Sequence, residues 1–132
     1  MRVLVVDDEK AILDIFEEYL EMCGHVPIIA SNGRLALDYY MEEPDAFDLI
    51  LTDINMPIVD GIELAYRIRA VRPLAPIIFI SACLEEEIWK DICHLQPCKW
   101  LKKPFQLEQL DQFIDAYQPS VFAQQTFENI IL

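Results

Sequence analysis

The sequence predicts an α/β protein built on an open parallel sheet of five strands, with five helices on both faces. Two observations lead to this fold class. Short β-branched apolar runs alternate five times with segments whose apolar residues follow helical spacing. The chain has 132 residues and is 54% hydrophobic, which is enough to bury the core of one domain. Such an alternation implies parallel strands joined by right-handed crossovers.

The predicted strands are short apolar runs bounded by polar or turn residues. The first run is typical, because uninterrupted β-branched residues fit a strand that is buried on both faces. The second run contains Pro27, which cannot donate a ladder hydrogen bond and therefore favours an edge position. The strands are predicted at Val3–Val6, Val26–Ala30, Phe47–Thr52, Pro76–Ile80 and Cys98–Lys102.

The predicted helices follow the strands and place apolar residues on one face. Gly24 fits a left-handed cap after the first helix, and the turn at Ser31–Gly33 can cap the second. The apolar stripe of the first helix consists of Ile12, Phe16, Tyr19, Leu20 and Cys23. The helices are predicted at about Glu9–Cys23, Arg34–Met41, Ile62–Val71, Leu84–Leu95 and Leu107–Tyr117.

The charge balance limits the partners of this domain. Ten basic and 23 acidic residues give a formal net charge of −13. This charge repels nucleic-acid phosphates and anionic membrane surfaces, so we expect direct binding to neither. No apolar run approaches the roughly 18 residues that a membrane span needs.

The cysteines and glycines narrow the class of protein further. The four cysteines form no CxxC pair, and Asp7 and Asp8 interrupt the first apolar run, unlike a secretory signal. We therefore expect reduced thiols and a cytoplasmic location. The three glycines at positions 24, 33 and 61 can form neither a GxGxxG motif nor a Walker loop, which excludes a glycine-rich nucleotide site.

Polar residues follow four of the five predicted strands. Asp7 and Asp8 follow the first strand, Asp53 the third, Ser81 the fourth and Lys103 the fifth. Ligands of open parallel sheets bind at the carboxyl ends of the strands, so these side chains should share one rim. Crowded carboxylates repel one another unless a cation compensates, and Mg²⁺ suits two or three carboxylates with water.

The rim residues lie in six segments that resemble, in the same order, the receiver domain of two-component response regulators. The resemblance implies the flavodoxin-like strand order 2-1-3-4-5. It covers residues 1–117 as the receiver domain and leaves 118–132 as a C-terminal tail or the start of a linker. The matching segments are Val5–Glu9, Asn32–Gly33, Asp48–Asp53, Met56–Pro57 with Asp60–Gly61, Ile80–Ala82, and Lys102–Phe105.

The resemblance also implies roles for the rim residues. Asp53 is the expected phosphorylation site, which attacks the phosphorus of a phosphohistidine. Asp8 is expected to bind Mg²⁺ directly and Asp7 mainly through water. Asp53 itself and the backbone carbonyl of Asn55 complete the expected ligand set. Lys103 is expected to neutralise charge on the phosphoryl oxygens.

A switch is the second implied feature. The Ser81 hydroxyl is expected to move toward a phosphoryl oxygen and hydrogen-bond it. Trp100, three positions before Lys103, is expected to respond to that movement. Trp100 could instead be only an edge-strand aromatic, since tryptophan is common at half-buried positions. The bond between Lys103 and Pro104 is expected to be cis.

The implied partners are proteins. A sensor histidine kinase or a histidine phosphotransfer protein is expected to supply the phosphoryl group. The surface of the fourth helix, fifth strand and fifth helix would then bind a downstream protein or effector domain. The chain is expected to catalyse only its own phosphorylation and dephosphorylation. The last helix contains no Lys or Arg, so a dimer of the type that uses basic residues there is not expected.

Two other hypotheses remain open at the level of sequence. The chain could dock a partner without being phosphorylated, since Gln96–Pro97 replaces the small Gly-Ala step usual before strand five. It could also be a Mg²⁺-dependent phosphatase that uses Asp53 as nucleophile. Such enzymes usually carry a second acid two residues later, where this chain has Asn55.

Overall fold

A computed structural model describes residues 1–82, 85–95 and 97–117. Five parallel strands form one sheet in the order β2-β1-β3-β4-β5, which confirms the predicted fold class. The strand that contains Pro27 lies at one edge, as its missing N–H donor requires. The strands are β1 (Arg2–Val6), β2 (Val26–Ala30), β3 (Leu49–Asp53), β4 (Ile77–Ser81) and β5 (Cys98–Lys102).

A helix follows each strand. Single 3₁₀ turns at Pro44–Ala46 and Cys93–Leu95 precede β3 and β5. Within the described ranges, no helix is both long enough and apolar enough to cross a membrane. The helices are α1 (Lys10–Met22), α2 (Gly33–Glu42), α3 (Gly61–Val71), α4 (Glu86–Ile92) and α5 (Leu107–Tyr117).

The hydrophobic core has two parts, one on each face of the sheet. Val3 and Val5 point to the side covered by α1 and α5, whereas Leu4 and Val6 point to the side covered by α2, α3 and α4. This alternation follows from the two-residue period of a strand. Because both faces are covered, β1 is buried from Val3 to Val6, as its uninterrupted apolar sequence predicts.

The buried face of α1 differs from the predicted stripe at both ends, because Leu13, which the stripe left out, is buried. Leu13, Phe16 and Leu20 are its fully buried residues, whereas Cys23 is exposed. The stripe was wrong at Cys23 because this residue lies past the last helical turn. Gly24 then adopts a φ of +85°, which confirms the predicted left-handed cap.

Two strands end on polar residues that the sequence places just outside them. The ladder pairs Asp53 with Ile80 and Ser81 with Lys102, so Asp53 and Ser81 are the last residues of β3 and β4. Asp53 and Ser81 therefore belong to the hydrogen-bonded sheet rather than to the loops that follow it.

The fourth helix ends earlier than the sequence predicts. α4 is shorter than predicted, because the segment before β5 tightens into the 3₁₀ turn Cys93–Leu95. Leu84, Gln96 and residues 118–132 lie outside the described residues. The predicted tail or linker therefore stays a prediction.

Candidate functional site

The carboxyl ends of the strands bring the predicted rim residues into one cluster. One carboxylate oxygen from each of Asp7, Asp8 and Asp53 lies within 4.8 Å of the others. Lys103 reaches into this group from the loop after β5. Its Nζ atom is 3.2 Å from Asp7 Oδ2 and 3.6 Å from Asp53 Oδ2. Residues from three strand ends, separated by up to 96 positions, therefore share one charged site.

Lys103 compensates two buried carboxylates. Asp7 is 1% exposed and Asp53 is 7% exposed. Burial would by itself lower the pKa of the Lys103 ammonium, but the negative charges of Asp7 and Asp53 outweigh it and raise this pKa. The ammonium therefore stays protonated at neutral pH, and its charge is available to a ligand that enters the site.

The Asp53 carboxylate lies in an environment that disfavours its charge. Burial raises the pKa of Asp53, and the Lys103 charge opposes this rise without cancelling it. The nearby Asp7 charge raises the pKa further. Backbone N–H groups of Ile54 and Asn55 hydrogen-bond the carboxylate and lower it. The Lys103 charge therefore does not offset the loss of hydration at Asp53, and a further cation in the site would favour the charged carboxylate.

The donor set fits a hard divalent cation. Carboxylate oxygens are the ligands that Mg²⁺ prefers, and this ion usually keeps several waters. Asp8 and Asn55 are both exposed, so the cluster is open to solvent on one side. The residues predicted to hold Mg²⁺ therefore have suitable chemistry and access. The carbonyl of Asn55 as a ligand stays a prediction.

Backbone contacts position the acids at the strand ends. Asp7 Oδ1 accepts a hydrogen bond from the Glu9 N–H at 2.9 Å, which orients its carboxylate at the start of the β1–α1 loop. Thr52 Oγ1 donates to the Asp53 carbonyl at 2.9 Å. The buried Thr52 hydroxyl was not singled out from the sequence, because a threonine inside an apolar strand is an ordinary β-branched residue.

Two glycines allow helices to approach the Asp53 loop closely. A Cβ atom on Gly61 would overlap the carbonyl oxygen of Asp53, and one on Gly33 would overlap the carbonyl oxygen of Val59. The Gly61 N–H also donates to the Ile54 carbonyl at 2.9 Å. These contacts hold the start of α3 against the end of β3, so any larger residue at 61 must displace the backbone beside Asp53.

Ser81 and Lys103 are linked through the backbone. Ser81 is 1% exposed, and its carbonyl accepts a hydrogen bond from the Lys103 N–H at 2.9 Å. The next peptide bond, between Lys103 and Pro104, is cis, as the resemblance implies. The ends of β4 and β5 are therefore joined directly at the rim of the site.

Trp100 contacts both the strand that ends at Ser81 and helix α4. Its Nε1 atom donates to the Ser81 carbonyl oxygen at 3.4 Å. Its ring lies 6.4 Å from that of Trp89, at an interplanar angle of 39°. Trp100 is half-buried on the edge strand β5. It therefore packs as an edge-strand aromatic and also lies beside the site, and its switch role stays a prediction.

Arg69 is a structural residue that the sequence did not single out. It lies in the last turn of α3, where an arginine is common. Its Nε donates to the Leu95 carbonyl and its Nη2 to the Pro97 carbonyl, both at 2.9 Å. The guanidinium also donates to the Ala75 carbonyl. Arg69 thus joins the segments that enter β4 and β5, at the end of the sheet opposite Asp53.

Fold and site together define a class of protein, a parallel α/β domain with an acid–lysine site at its carboxyl rim. The family model of the response regulator receiver domain matches residues 3–115. The chain therefore belongs to the response regulator receiver domain family.

Similar proteins agree with this membership. The chain is 38% identical over 111 residues to two-component response regulator ORR24 of Oryza sativa subsp. japonica, covering 83% of this chain and 17% of that protein. It is 33% identical over 111 residues to two-component response regulator ARR12 of Arabidopsis thaliana, covering 83% and 18% respectively. The chain therefore spans less than a fifth of the length of these relatives.

Among solved structures, the chain resembles the Vibrio cholerae chemotaxis protein CheY4. The TM-score is 0.81 at 28% identity, covering 89% of this chain and 98% of that one. The receiver domain of the Francisella response regulator 1452 has a TM-score of 0.76 at 29% identity, covering 88% and 95%. Both similarities extend over nearly all of the described fold.

Proposed function

We propose that the chain is a phosphoacceptor in which Asp53 receives a phosphoryl group from the phosphohistidine of a sensor histidine kinase or a histidine phosphotransfer protein. The observation that carries this proposal is the Asp53 carboxylate, which lies at a strand end within 4.8 Å of two further acids and 3.6 Å from the Lys103 ammonium. Membership of the receiver domain family supports it.

The proposed reaction is a phosphoryl transfer between two side chains. A carboxylate oxygen of Asp53 forms the new bond to phosphorus as the bond to the histidine nitrogen breaks, and the electron pair stays on the imidazole. The product is an acyl phosphate. Lys103 is close enough to Asp53 for its ammonium to contact a phosphoryl oxygen there and neutralise the negative charge. Hydrolysis of the acyl phosphate returns Asp53 and inorganic phosphate.

Mg²⁺ is the proposed cofactor of this site. Asp7, Asp8, Asp53 and the Asn55 carbonyl would hold it, Asp7 mainly through water. When bound, the ion supplies positive charge to the phosphoryl oxygens. The carboxylate cluster supports this assignment, because it concentrates three hard ligands within 4.8 Å of one another.

The proposed switch uses Ser81 and Trp100. A phosphoryl group on Asp53 would accept a hydrogen bond from the Ser81 hydroxyl, which lies on the neighbouring strand. Because Trp100 bonds the Ser81 carbonyl and packs on Trp89, movement at Ser81 would change the surface formed by α4, β5 and α5. A downstream protein or effector domain would read this change.

The wider setting of the protein is also a proposal. A cytoplasmic location suits a domain phosphorylated by a kinase. The charge of −13 disfavours direct contact with nucleic acid or anionic membranes. A dimer is possible, but not of the type that uses basic residues on the last helix, because α5 contains no Lys or Arg.

The first experiment tests the phosphoacceptor. We expect incubation with Mg²⁺ and acetyl phosphate to add one phosphoryl group, measured by intact mass. Asp53→Asn should lose this addition, whereas the matched variant Asp14→Asn, on the exposed side of α1, should keep it. Full phosphorylation of Asp53→Asn would reject Asp53 as the site.

A second experiment tests the switch. Fluoroberyllate, an analogue of the phosphoryl group, should change the tryptophan fluorescence of the Trp89→Phe variant, in which Trp100 is the remaining tryptophan. The same titration of Asp53→Asn with this substitution should show no change. A Trp100 signal that does not respond in the chain with Asp53 would leave Trp100 with its packing role alone.

A further inference from the structure

Ile58, in the loop between β3 and α3, has a backbone conformation that disfavours isoleucine. Its φ is +73°, in the left-handed region. The Val59 N–H donates to the Pro57 carbonyl at 2.9 Å, so Ile58 is the central residue of a γ-turn with positive φ, a rare and strained form. Glycine and asparagine tolerate this region, whereas a β-branched residue is an outlier there.

Burial does not offset this strain. The Ile58 residue is 80% exposed, although Met56 and Val59 in the same loop are buried. An exposed isoleucine gains little from removal of apolar surface from water. Folding of the chain by itself therefore does not explain why this position holds an apolar, β-branched residue.

Ile58 lies close to the proposed phosphorylation site. Three peptide links of 3.8 Å separate the Cα atoms of Ile58 and Gly61, so these atoms are at most about 11 Å apart. The Gly61 backbone packs directly against the Asp53 carbonyl. A small protein interface of about 600 Å² per partner extends about 14 Å from its centre. An interface centred on Asp53 therefore extends over the loop that contains Ile58.

The remaining rim cannot attract such a donor strongly by charge. Asp8, Glu9 and Asp60 are exposed acids beside the site, and a phosphohistidine is itself anionic. Apolar side chains dominate the centres of protein interfaces, where charged residues are depleted. An exposed isoleucine supplies the kind of contact that the acidic rim lacks.

We propose that Ile58 is a specificity-determining contact for the protein phosphodonor of Asp53, which rests on the proposed function. The side chain would pack against an apolar patch beside the donor histidine. A small donor such as acetyl phosphate is too small to reach Ile58 from Asp53. The contribution of Ile58 should therefore depend on the size of the donor.

The test compares two kinds of donor. Purified histidine phosphotransfer and histidine-bearing kinase domains from the same genome are phosphorylated, and the one with the highest kcat/KM for the wild-type chain is the protein probe. Acetyl phosphate is the small probe. The variants are Ile58→Asn, which suits the left-handed turn, and Ile58→Leu, which stays apolar. Leu74→Asn is the control, since Leu74 is 78% exposed and precedes β4 at the opposite end of the sheet.

Ile58→Asn should lower kcat/KM for the protein probe about tenfold, through a higher KM at similar kcat. Its rate with acetyl phosphate should stay within about twofold of the wild type, since this small donor does not reach residue 58. The loss of one interface contact lowers affinity by more than about twofold, so the two donors can be distinguished. Relief of the strained turn should raise its melting temperature by about 4 °C. Ile58→Leu and Leu74→Asn should retain the wild-type KM for the protein probe.

Several results would overturn the inference. An unchanged KM for the protein probe in Ile58→Asn would remove Ile58 from the interface. An equal loss with acetyl phosphate would indicate a disturbed site instead of a lost contact. A chain that reacts with acetyl phosphate but with no protein donor would also contradict it. Failure of the wild-type chain with every donor, acetyl phosphate included, would instead overturn the proposed function of Asp53.

Discussion

Single residues decide the charge balance of this site. Asp7 and Asp53 are nearly inaccessible to water, and Lys103, whose side chain is 19% exposed, is the cation that contacts both. Each carboxylate loses hydration on folding and regains part of that free energy from the ammonium. Stability and phosphoryl transfer therefore depend on the same lysine.

Lys103→Met should lower the free energy of unfolding by about 2 kcal/mol, measured by urea denaturation without Mg²⁺. Removing one partner of a buried pair costs about 3–5 kcal/mol, and partial exposure of Lys103 reduces this loss. Phosphorylation by acetyl phosphate should slow about 100-fold, because charge on the phosphoryl oxygens is less neutralised. Lys102→Met is the control. Lys102 is exposed, so this variant should change neither the free energy of unfolding nor the phosphorylation rate appreciably. Wild-type stability in Lys103→Met would show that the ion pairs contribute nothing.

At the scale of elements, close packing at helix ends positions the acids. α3 begins at Gly61 against the last residue of β3, and Asp60 caps it by accepting a hydrogen bond from the Glu63 N–H at 2.8 Å. The helix start and the strand end therefore form a single rigid unit. The position of Asp53 depends on a residue that has no side chain.

Gly61→Ala should lower the free energy of unfolding by about 3 kcal/mol, at the upper end of overpacking costs, because the new Cβ must displace backbone. It should also slow phosphorylation, since the displaced backbone belongs to Asp53. Gly24→Ala is the matched control. Gly24 has open space around it but a φ of +85°, so its cost should be about 1 kcal/mol of backbone strain, with normal phosphorylation. Equal stability losses, both with normal phosphorylation, would contradict a special role for Gly61.

Arg69 connects elements at the other end of the sheet. Its guanidinium donates to the Ala75, Leu95 and Pro97 carbonyls, which precede β4 and β5. The Pro97 carbonyl also accepts a hydrogen bond from the Ile77 N–H at 3.1 Å, so Arg69 extends the contact between these two strands. A side chain here performs a task that backbone hydrogen bonds perform inside the sheet.

Arg69→Met should lower the free energy of unfolding by about 2 kcal/mol, because buried carbonyls lose their donors. Arg67→Met should cost less than about 0.5 kcal/mol, since among the described residues Arg67 forms an exposed pair with Glu63 at 2.9 Å and no other ion pair. Urea denaturation of the two variants measures the difference. Similar losses for both arginines would mean that Arg69 acts only through its helix propensity.

At the scale of the whole molecule, folding assembles the proposed cation site. The three acids are separated by up to 46 positions, from Asp7 to Asp53, and meet only in the folded sheet. A ligand that binds the folded chain and not the unfolded chain stabilises the folded state. Mg²⁺ binding should therefore be visible as thermal stability.

Mg²⁺ at ten times its dissociation constant should stabilise the chain by about 1.4 kcal/mol and raise the melting temperature by about 4 °C. Asp8→Asn should lose most of this shift, because it removes the proposed direct ligand. Asp14→Asn should retain the shift. A shift of equal size in Asp8→Asn would place the ion elsewhere on this acidic surface.

The sequence by itself determined the fold class and the members of the site. Alternating apolar runs predict a parallel sheet, and such a sheet collects its strand ends at one rim. The positions of Asp7, Asp53 and Lys103 directly after apolar runs are therefore enough to group them. Strand order came from family resemblance, because local periodicity contains no information about which strands are neighbours.

Tertiary structure alone decided the contacts that depend on distant backbone. The Ala75, Leu95 and Pro97 carbonyls, to which Arg69 donates, come from segments up to 28 residues away. The left-handed turn at Ile58 goes against the local preference of isoleucine, so no propensity could predict it. Strand ends at Asp53 and Ser81 were set by ladder partners on neighbouring strands. Local chemistry determines which residues can act, whereas long-range packing determines where their atoms lie.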